Sequence, residues 1–170
     1  MSQTDRFADV FELARTGGTL EGSLPLAAAP RLRAGLRHDR GALAYRLQGR
    51  YDERGRPAAL LHLEGDLPLV CDRCRQALEL KLDHRAAFYF VGSEEELSRL
   101  PVTDEPEEPL VGGRRFDVAA LVEDEAILCV PISPRHARCA PPTVREPADA
   151  EARTPFAALA KLRSGGSQRR

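Results

Sequence analysis

The sequence has no tryptophan, a single methionine and only two lysines, Lys81 and Lys161, against 23 arginines. No apolar run approaches the roughly 18 residues that would be needed to cross a bilayer, which argues against a membrane span. Residues 1–15 contain acidic side chains and lack the apolar core of a secretory signal peptide. We therefore expect a cytoplasmic protein whose four cysteines serve as thiols or metal ligands and not as a disulfide framework.

Catalytic motifs are also missing. The chain contains no G-x-S-x-G, phosphate loop, H-E-x-x-H or dinucleotide fingerprint. The acidic run Glu123, Asp124 and Glu125 does not replace them, because consecutive helical residues turn by roughly 100° and cannot all face one pocket. This run is more typical of a solvated face or of a face that docks a protein. We expect neither an enzyme nor a small-molecule substrate.

The clearest pattern is a period of two in the central region, which is typical of half-buried strands. It predicts three antiparallel strands joined as a meander, with Pro68 at a bulge or an edge. Residues 116–130 follow a helical pattern, with Asp117 as N-cap and Pro131 as the terminator. The predicted fold is α+β, an antiparallel meander packed by this C-terminal helix. Apolar residues repeat at positions 43, 45 and 47, then 61, 63, 67 and 69, and then 78, 80, 82, 86, 88 and 90.

The flanking regions differ in composition. We predict one domain over residues 1–139, including a short helix at 5–15 and a long acidic loop at 93–113 that is rich in proline. A Pro/Ala/Glu linker follows at 140–153. A short C-terminal helix is predicted at 154–163, with Thr154 and Pro155 in the favoured cap and N1 order, and a disordered tail at 164–170.

Two short pairs of metal-capable residues lie at the ends of the central region, Cys71 with Cys74 and His136 with Cys139. Zinc prefers four thiolate or imidazole ligands, so both pairs meeting on one ion would make a closed structural site. Buried or incidental thiols remain an alternative. A redox pair is less favoured, because a strand and not a helix follows Cys74. Cys129 fits best as a small buried apolar residue.

Charge is unevenly distributed along the chain. Residues 31–56 hold eight arginines and three acidic residues, a net charge of +5, whereas residues 92–139 hold five arginines and eleven acidic residues, a net charge of −6. A basic stretch of this kind suits phosphate contact, although a solvated sheet face explains it equally well and a GC-rich genome would also favour arginine. The candidate RNA-binding residues are Arg33, Arg37, Arg46, Arg50, Arg54, Arg56 and Arg73.

Three motifs together resemble the YceD family, the bacterial large ribosomal RNA subunit accumulation proteins. The first is Cys71-Asp72-Arg73-Cys74 after an apolar strand. The second is the helix from Asp117 to Pro131, with Val122-Glu123-Asp124-Glu125 at its centre and a histidine and a cysteine after it. The third is the segment from Pro155 to Leu159. The chain departs from many relatives in carrying Arg75 after the second cysteine, where they have glycine or leucine.

The resemblance implies a non-enzymatic cytoplasmic factor that is required for the synthesis, processing or stability of 23S rRNA and for large-subunit assembly. The implied partners are 23S rRNA or a large-subunit precursor and a ribosomal protein. The resemblance also supports the expectation, drawn from the residue pairs, that the cofactor is one structural zinc ion. Two alternatives stay open. The chain could be an adaptor that docks a ribosomal protein or assembly enzyme through Glu123, Asp124 and Glu125, or a thiol redox protein using Cys71 and Cys74.

Overall fold

The computed structural model describes residues 6–101 and 106–142. The chain divides into a unit of residues 1–140 and a second unit of residues 141–170, of which only the first two residues are described. The predicted linker 140–153 therefore falls almost wholly outside the described residues, and the predicted helix 154–163 and tail 164–170 lie outside them. Within the described part of the chain, no helix combines the length and apolar character that crossing a bilayer requires.

Strands dominate the first two thirds of the chain, and the longest helix comes after them. In chain order the elements are β1 (Phe7–Ala8), α1 (Val10–Thr16), β2 (Thr19–Pro25), a 3-10 turn (Leu26–Ala28), α2 (Pro30–Arg33), β3 (Ala42–Tyr51), β4 (Pro57–Val70), β5 (Ala77–Val91), α3 (Glu94–Arg99), β6 (Glu108–Val111), β7 (Phe116–Asp117) and α4 (Val118–Cys129).

Five strands form one sheet in the order β2-β3-β4-β5-β6, and β1 pairs separately with β7. Strands β2 to β5 are consecutive and antiparallel, whereas β6 runs parallel to β5. The α+β prediction is confirmed. The meander has one strand more than the three predicted, because β2 pairs with β3, and β6 makes the sheet mixed.

The hydrophobic core lies between one face of the sheet and the helices. Alternate strand residues are fully buried, such as Leu43 and Leu47 on β3 and Leu61 and Leu63 on β4. Burying each leucine contributes roughly 1.5–3 kcal/mol, so the period of two sets which face of the sheet is covered. The helical elements add Val10, Leu32, Val118, Leu121, Val122 and Ala126 to the same core.

Helix α1 lies close to β3 at Gly49. A Cβ atom at this position would lie 2.2 Å from the carbonyl oxygen of Leu13, which is backbone and cannot move aside on its own. The absence of a side chain at residue 49 is therefore what allows α1 to lie against the sheet.

The acidic segment 93–113, which we expected to be a loop, contains both α3 and β6. Ser93 caps α3 by accepting a hydrogen bond from the N–H of Glu96, and three glutamates in the first turn suit the positive end of the helix. Pro109 lies on β6, an edge strand, where a missing N–H is tolerated. The prediction that this whole segment is a loop, which rested on its acidic and proline content, was therefore wrong.

The hairpin of β4 and β5 extends beyond the rest of the sheet. β3 pairs with β4 only from Pro57 to Glu64, whereas β5 pairs with it as far as Val70. Pro68 thus lies where β4 has a strand on one side only, as the sequence predicted. Its carbonyl oxygen accepts a hydrogen bond of 2.8 Å from the N–H of Arg37. The turn that joins β4 to β5 is carried at the end of this extension.

Candidate metal centre

The turn between β4 and β5 holds Cys71 and Cys74. The N–H of Cys71 donates to the carbonyl of Gln76 over 2.9 Å, and the N–H of Arg75 donates to the carbonyl of Cys71 over 2.8 Å. Arg75 closes the turn with a φ of 61°, in the left-handed region that glycine enters most easily. These contacts make a tight turn that presents both thiols to one side.

The segment after α4 lies alongside this turn. Asp117 caps α4 by accepting the N–H of Ala120 at 3.0 Å, as predicted, and the helix ends at Cys129 before Pro131. The carbonyl oxygen of Pro134 then accepts a hydrogen bond of 2.8 Å from the N–H of Asp72. This backbone contact places His136 and Cys139 next to Cys71 and Cys74.

The four predicted ligands converge, with their donor atoms all within 4.8 Å of one another. The sulfur atoms of Cys71 and Cys139 are 3.7 Å apart, and the Cys74 sulfur is 3.4 Å from Nδ1 of His136. A tetrahedral zinc ion with bonds of about 2.3 Å to sulfur and about 2.0 Å to nitrogen requires edges of roughly 3.5–3.8 Å. The sulfur separation is also far too long for a disulfide, whose bond is about 2.05 Å. The cluster could therefore hold a metal ion.

The imidazole of His136 is oriented by its second nitrogen. Nε2 lies 3.0 Å from the carbonyl oxygen of Ala77, which can only accept a hydrogen bond. In the neutral imidazole Nε2 therefore carries the proton, which leaves the lone pair of Nδ1 facing Cys74. A backbone carbonyl that fixes the tautomer in this way is a common second partner of metal-binding histidines.

The thiols differ in their acidity. Burial opposes ionisation of the fully buried Cys71, but hydrogen bonds from the backbone N–H groups of Cys74, His136 and Arg73 lower its pKa to about 5. Burial, followed by contacts with Cys71 and Cys74, raises the pKa of Cys139. Backbone hydrogen bonds thus stabilise the thiolate of Cys71, whereas the surroundings of Cys139 disfavour a second thiolate beside it. A divalent cation among the sulfurs would remove that opposition, because its positive charge stabilises the thiolates that metal binding requires.

Cys129 lies outside this group. It is partly buried in α4 and packs against the core, and burial together with the nearby Glu125 raises the pKa of its thiol. An ionised thiolate is disfavoured there, in keeping with the predicted role as a small apolar residue.

The arginines predicted to contact RNA occupy several parts of the fold. Arg54 and Arg56 lie at the opposite end of β4 from Arg73, and 14 strand residues span about 45 Å. Four of the predicted arginines also have acidic partners: Arg33 pairs with Asp39, Arg46 with Glu21, Arg50 with Glu107 and Arg56 with Asp52. Asp39 and Asp52 already count in the net charge of residues 31–56, so Glu21 and Glu107 lower its excess from +5 to +3. RNA contact by this stretch stays a prediction.

The acidic run on α4 has mostly internal partners. Glu123 is buried and accepts hydrogen bonds from the N–H groups of Arg31 and Leu32 at 2.7 and 3.1 Å. Glu125 is buried and lies 3.0 Å from Nε2 of His84 on β5. Asp124 pairs with Arg31 but keeps half of its side chain exposed. A docking role for this run stays a prediction, and Asp124 is its accessible member.

Sequence reasoning missed the role of Arg31. Its guanidinium binds both Glu123 and Asp124 across more than 90 residues of sequence. The local sequence pattern contains no signal for a contact between residues that are so far apart in the chain.

Sequence reasoning also missed a cluster of polar side chains on the outer face of the sheet, the face opposite the core. There His62 lies 2.8 Å from Asp83 and 3.4 Å from Glu64. His62 also borders a groove of about 480 Å³ that is lined by Arg46 and Arg85 among others. The strand alternation predicts that these side chains point away from the core. Their proximity also depends on the register between β4 and β5, which the sequence alone does not give.

The comparison with protein families gives one match. The family model described as "Large ribosomal RNA subunit accumulation protein YceD" matches residues 60–163, which include most of β4, all of β5 and α4, and the four clustered candidate ligands. No curated protein and no solved structure matches the chain.

Proposed function

The chain belongs to the YceD family, and from this membership we propose that it is a non-enzymatic cytoplasmic factor for large ribosomal subunit RNA. Its role would be to support the synthesis, processing or stability of 23S rRNA and so the assembly of the large subunit. The family match carries this proposal, because it spans 104 of the 170 residues, counted from 60 to 163.

The clustered cysteines and histidine support a scaffold over a catalyst. Three thiols and one imidazole make a four-donor set in which no position is left for water or substrate, and sets of this kind are structural. We propose that the cluster binds one zinc ion that fastens the tip of the β4–β5 hairpin to the segment after α4. The burial of Cys71 argues against the redox alternative, because a reactive thiol must be reached by its partner.

A second candidate function is a protein adaptor, and one observation favours it. Asp124 and Leu128 are one turn apart on α4, and their side chains are exposed by 50% and 73%. A charged and an apolar side chain on one helix face suit a protein partner such as a ribosomal protein. The D124K/L128S double variant tests this candidate, with D66K as a control on the sheet. Loss of function in the first variant only, with RNA binding intact, would favour the adaptor.

A deletion strain tests the main proposal. We expect a lower ratio of large to small ribosomal RNA and fewer complete large subunits in a gradient profile, both restored by the full chain expressed in trans. An unchanged ratio and profile in the deletion strain would refute the proposed function.

A further inference from the structure

Four exposed arginines surround the candidate metal centre. Arg73 and Arg75 lie in the turn between β4 and β5, and Arg135 and Arg138 alternate with the ligands His136 and Cys139. We propose that these four residues, here named the arginine rim, bind the phosphate backbone of the RNA. This inference rests on the proposed function and specifies which surface performs it.

The rim is assembled by contacts between two segments that are far apart in sequence. The guanidinium of Arg73 donates to the carbonyl oxygen of Cys139 over 3.4 Å, across 66 residues of sequence. The backbone hydrogen bond from Asp72 to Pro134 lies beside it. The two segments that carry the four arginines are therefore held side by side on the surface by the same contacts that bring the metal ligands together.

The rim keeps its positive charge in the folded protein. Among residues 6–101 and 106–142, Arg73, Arg135 and Arg138 have no carboxylate within 4 Å, and Arg75 lies 3.7 Å from Asp72. Four arginines and one aspartate leave a local charge of +3. Three thiolates around a divalent ion would add −1, so the surface stays cationic with the metal bound.

The rim differs in this respect from the stretch 31–56, where Arg33, Arg46, Arg50 and Arg56 have acidic partners. A carboxylate beside an arginine offsets its positive charge, so the pair attracts phosphate less strongly than an arginine without such a partner. The number of arginines in residues 31–56 favoured that stretch as the RNA-binding surface. In the fold, however, the rim is the more available cationic surface.

The chemistry of the rim fits a nucleic-acid backbone. A guanidinium group can donate two parallel hydrogen bonds to the oxygens of one phosphate, and it stays charged at any physiological pH. Their positions on a tight turn and a tethered segment reduce the entropy that is lost when they bind. An acidic protein is the competing class of partner, and failure of the wild type to bind either RNA in the experiment below would favour it.

The test compares two variants of the full chain, each with two arginines neutralised. R135Q/R138Q removes half of the rim, and R33Q/R46Q, in the stretch 31–56, is the matched control. Binding to a single-stranded RNA oligonucleotide of mixed sequence and to a 23S rRNA transcript is measured at several salt concentrations. Metal content and melting temperature should equal those of the wild type in both variants, because none of these arginines is a ligand or is buried.

The expected loss follows from counterion release, which contributes about 0.7 to the salt slope for each phosphate neutralised on a single strand. Removing two contacts should lower the slope by about 1.4 and weaken binding roughly 25-fold at about 0.1 M salt. R33Q/R46Q should change the affinity by less than about threefold. A loss in the control as large as that in the rim variant would overturn the proposal.

Two further outcomes separate this inference from the proposed function. If the wild type binds neither RNA but restores large-subunit RNA in the deletion strain, the rim is not an RNA surface and the proposed function stands. A deletion strain with normal RNA would refute the proposed function, whereas the binding assay would still decide whether the rim binds RNA.

Discussion

The carboxylate of Glu123 accepts a hydrogen bond of 3.1 Å from the backbone N–H of Leu32, 91 residues earlier in the chain. The same carboxylate accepts the N–H and the guanidinium of Arg31, and so caps the short helix α2 from outside. One side chain of α4 thereby supplies the acceptor that the start of α2 lacks, since Ala29 at the cap position offers none. The acidic run on α4 thus contributes to the packing of the domain.

Removing this carboxylate should destabilise the protein. E123A leaves two backbone N–H groups without an acceptor, and we expect a loss of about 3 kcal/mol in the free energy of unfolding, with about half of that for E123Q. D124N is the matched control and should change the free energy by less than about 0.5 kcal/mol, because its partner is at the surface. Urea unfolding at neutral pH measures all three, and equal effects of E123A and D124N would contradict the capping role.

The contribution of Glu123 should also depend on pH. Burial opposes the charged form, but hydrogen bonds from Leu32 and Arg31 outweigh it and lower the pKa of Glu123 in the folded protein. A lowered pKa stabilises the fold above the unfolded value of about 4.3, and this stabilisation is lost as the pH falls through the folded pKa. The difference in stability between the wild type and E123Q should therefore be full at pH 7 and shrink in acid. A difference that grows in acid would contradict this assignment.

Loss of one metal ligand should release the hairpin tip from the segment after α4. The contact between Cys74 and His136 closes a loop of 62 residues, and a cross-link over a loop of that length stabilises by about 4 kcal/mol. We expect C74S and H136A to lose bound zinc and most of that stabilisation. C129A is the control and should keep both. Metal analysis after purification without chelator, followed by thermal unfolding, provides the readout, and full zinc content in H136A would refute the ligand set.

The turn residue Arg75 offers a test in the opposite direction. Its left-handed φ of 61° costs a non-glycine residue roughly 1–2 kcal/mol. R75G should therefore stabilise the protein by about 1 kcal/mol, whereas R75A should be close to neutral, because alanine meets the same backbone penalty. The two melting temperatures decide between them. Similar values for R75G and R75A would show that the turn carries no such strain.

Gly49 provides a test of the packing of α1 on the sheet. G49A places a methyl group 2.2 Å from the carbonyl oxygen of Leu13, so the helix must move away, and we expect a loss of about 3 kcal/mol or more. Gly113 has no atom within 4 Å of the corresponding position, which makes G113A the matched control. Denaturant unfolding of both variants checks the contact, and a neutral G49A would contradict it.

The fold was predictable where the pattern is local. Alternating leucines on β3, β4 and β5 mark the buried face, and Asp117 with Pro131 marks the ends of α4, because each signal lies within a few neighbouring residues. β6 was missed because Pro109 and its acidic neighbours are tolerated only at a sheet edge, and edge position depends on the whole sheet.

The candidate site was also predictable only in part. Cys71, Cys74, His136 and Cys139 were predicted together from the preference of zinc for these donors, and the structure brings them together. The partners of the arginines and glutamates were not predictable, because charge counts do not say which opposite charge the fold brings near. Arg31 and Glu123 meet only through the packing of α2 against α4.

The extension of the β4–β5 hairpin divides the sheet into two zones of different cooperativity. From Ala58 to Glu64 β4 has a partner strand on each side, and from Gly65 to Val70 it has one. Amide protons in the first zone should exchange with solvent only on global unfolding, whereas those in the second can exchange through local opening. If the proposed zinc is bound, chelation should therefore accelerate exchange at Leu67 and Leu80 long before it accelerates exchange at Leu61. The outer end of the hairpin would then report metal occupancy, and the centre of the sheet would report the fold.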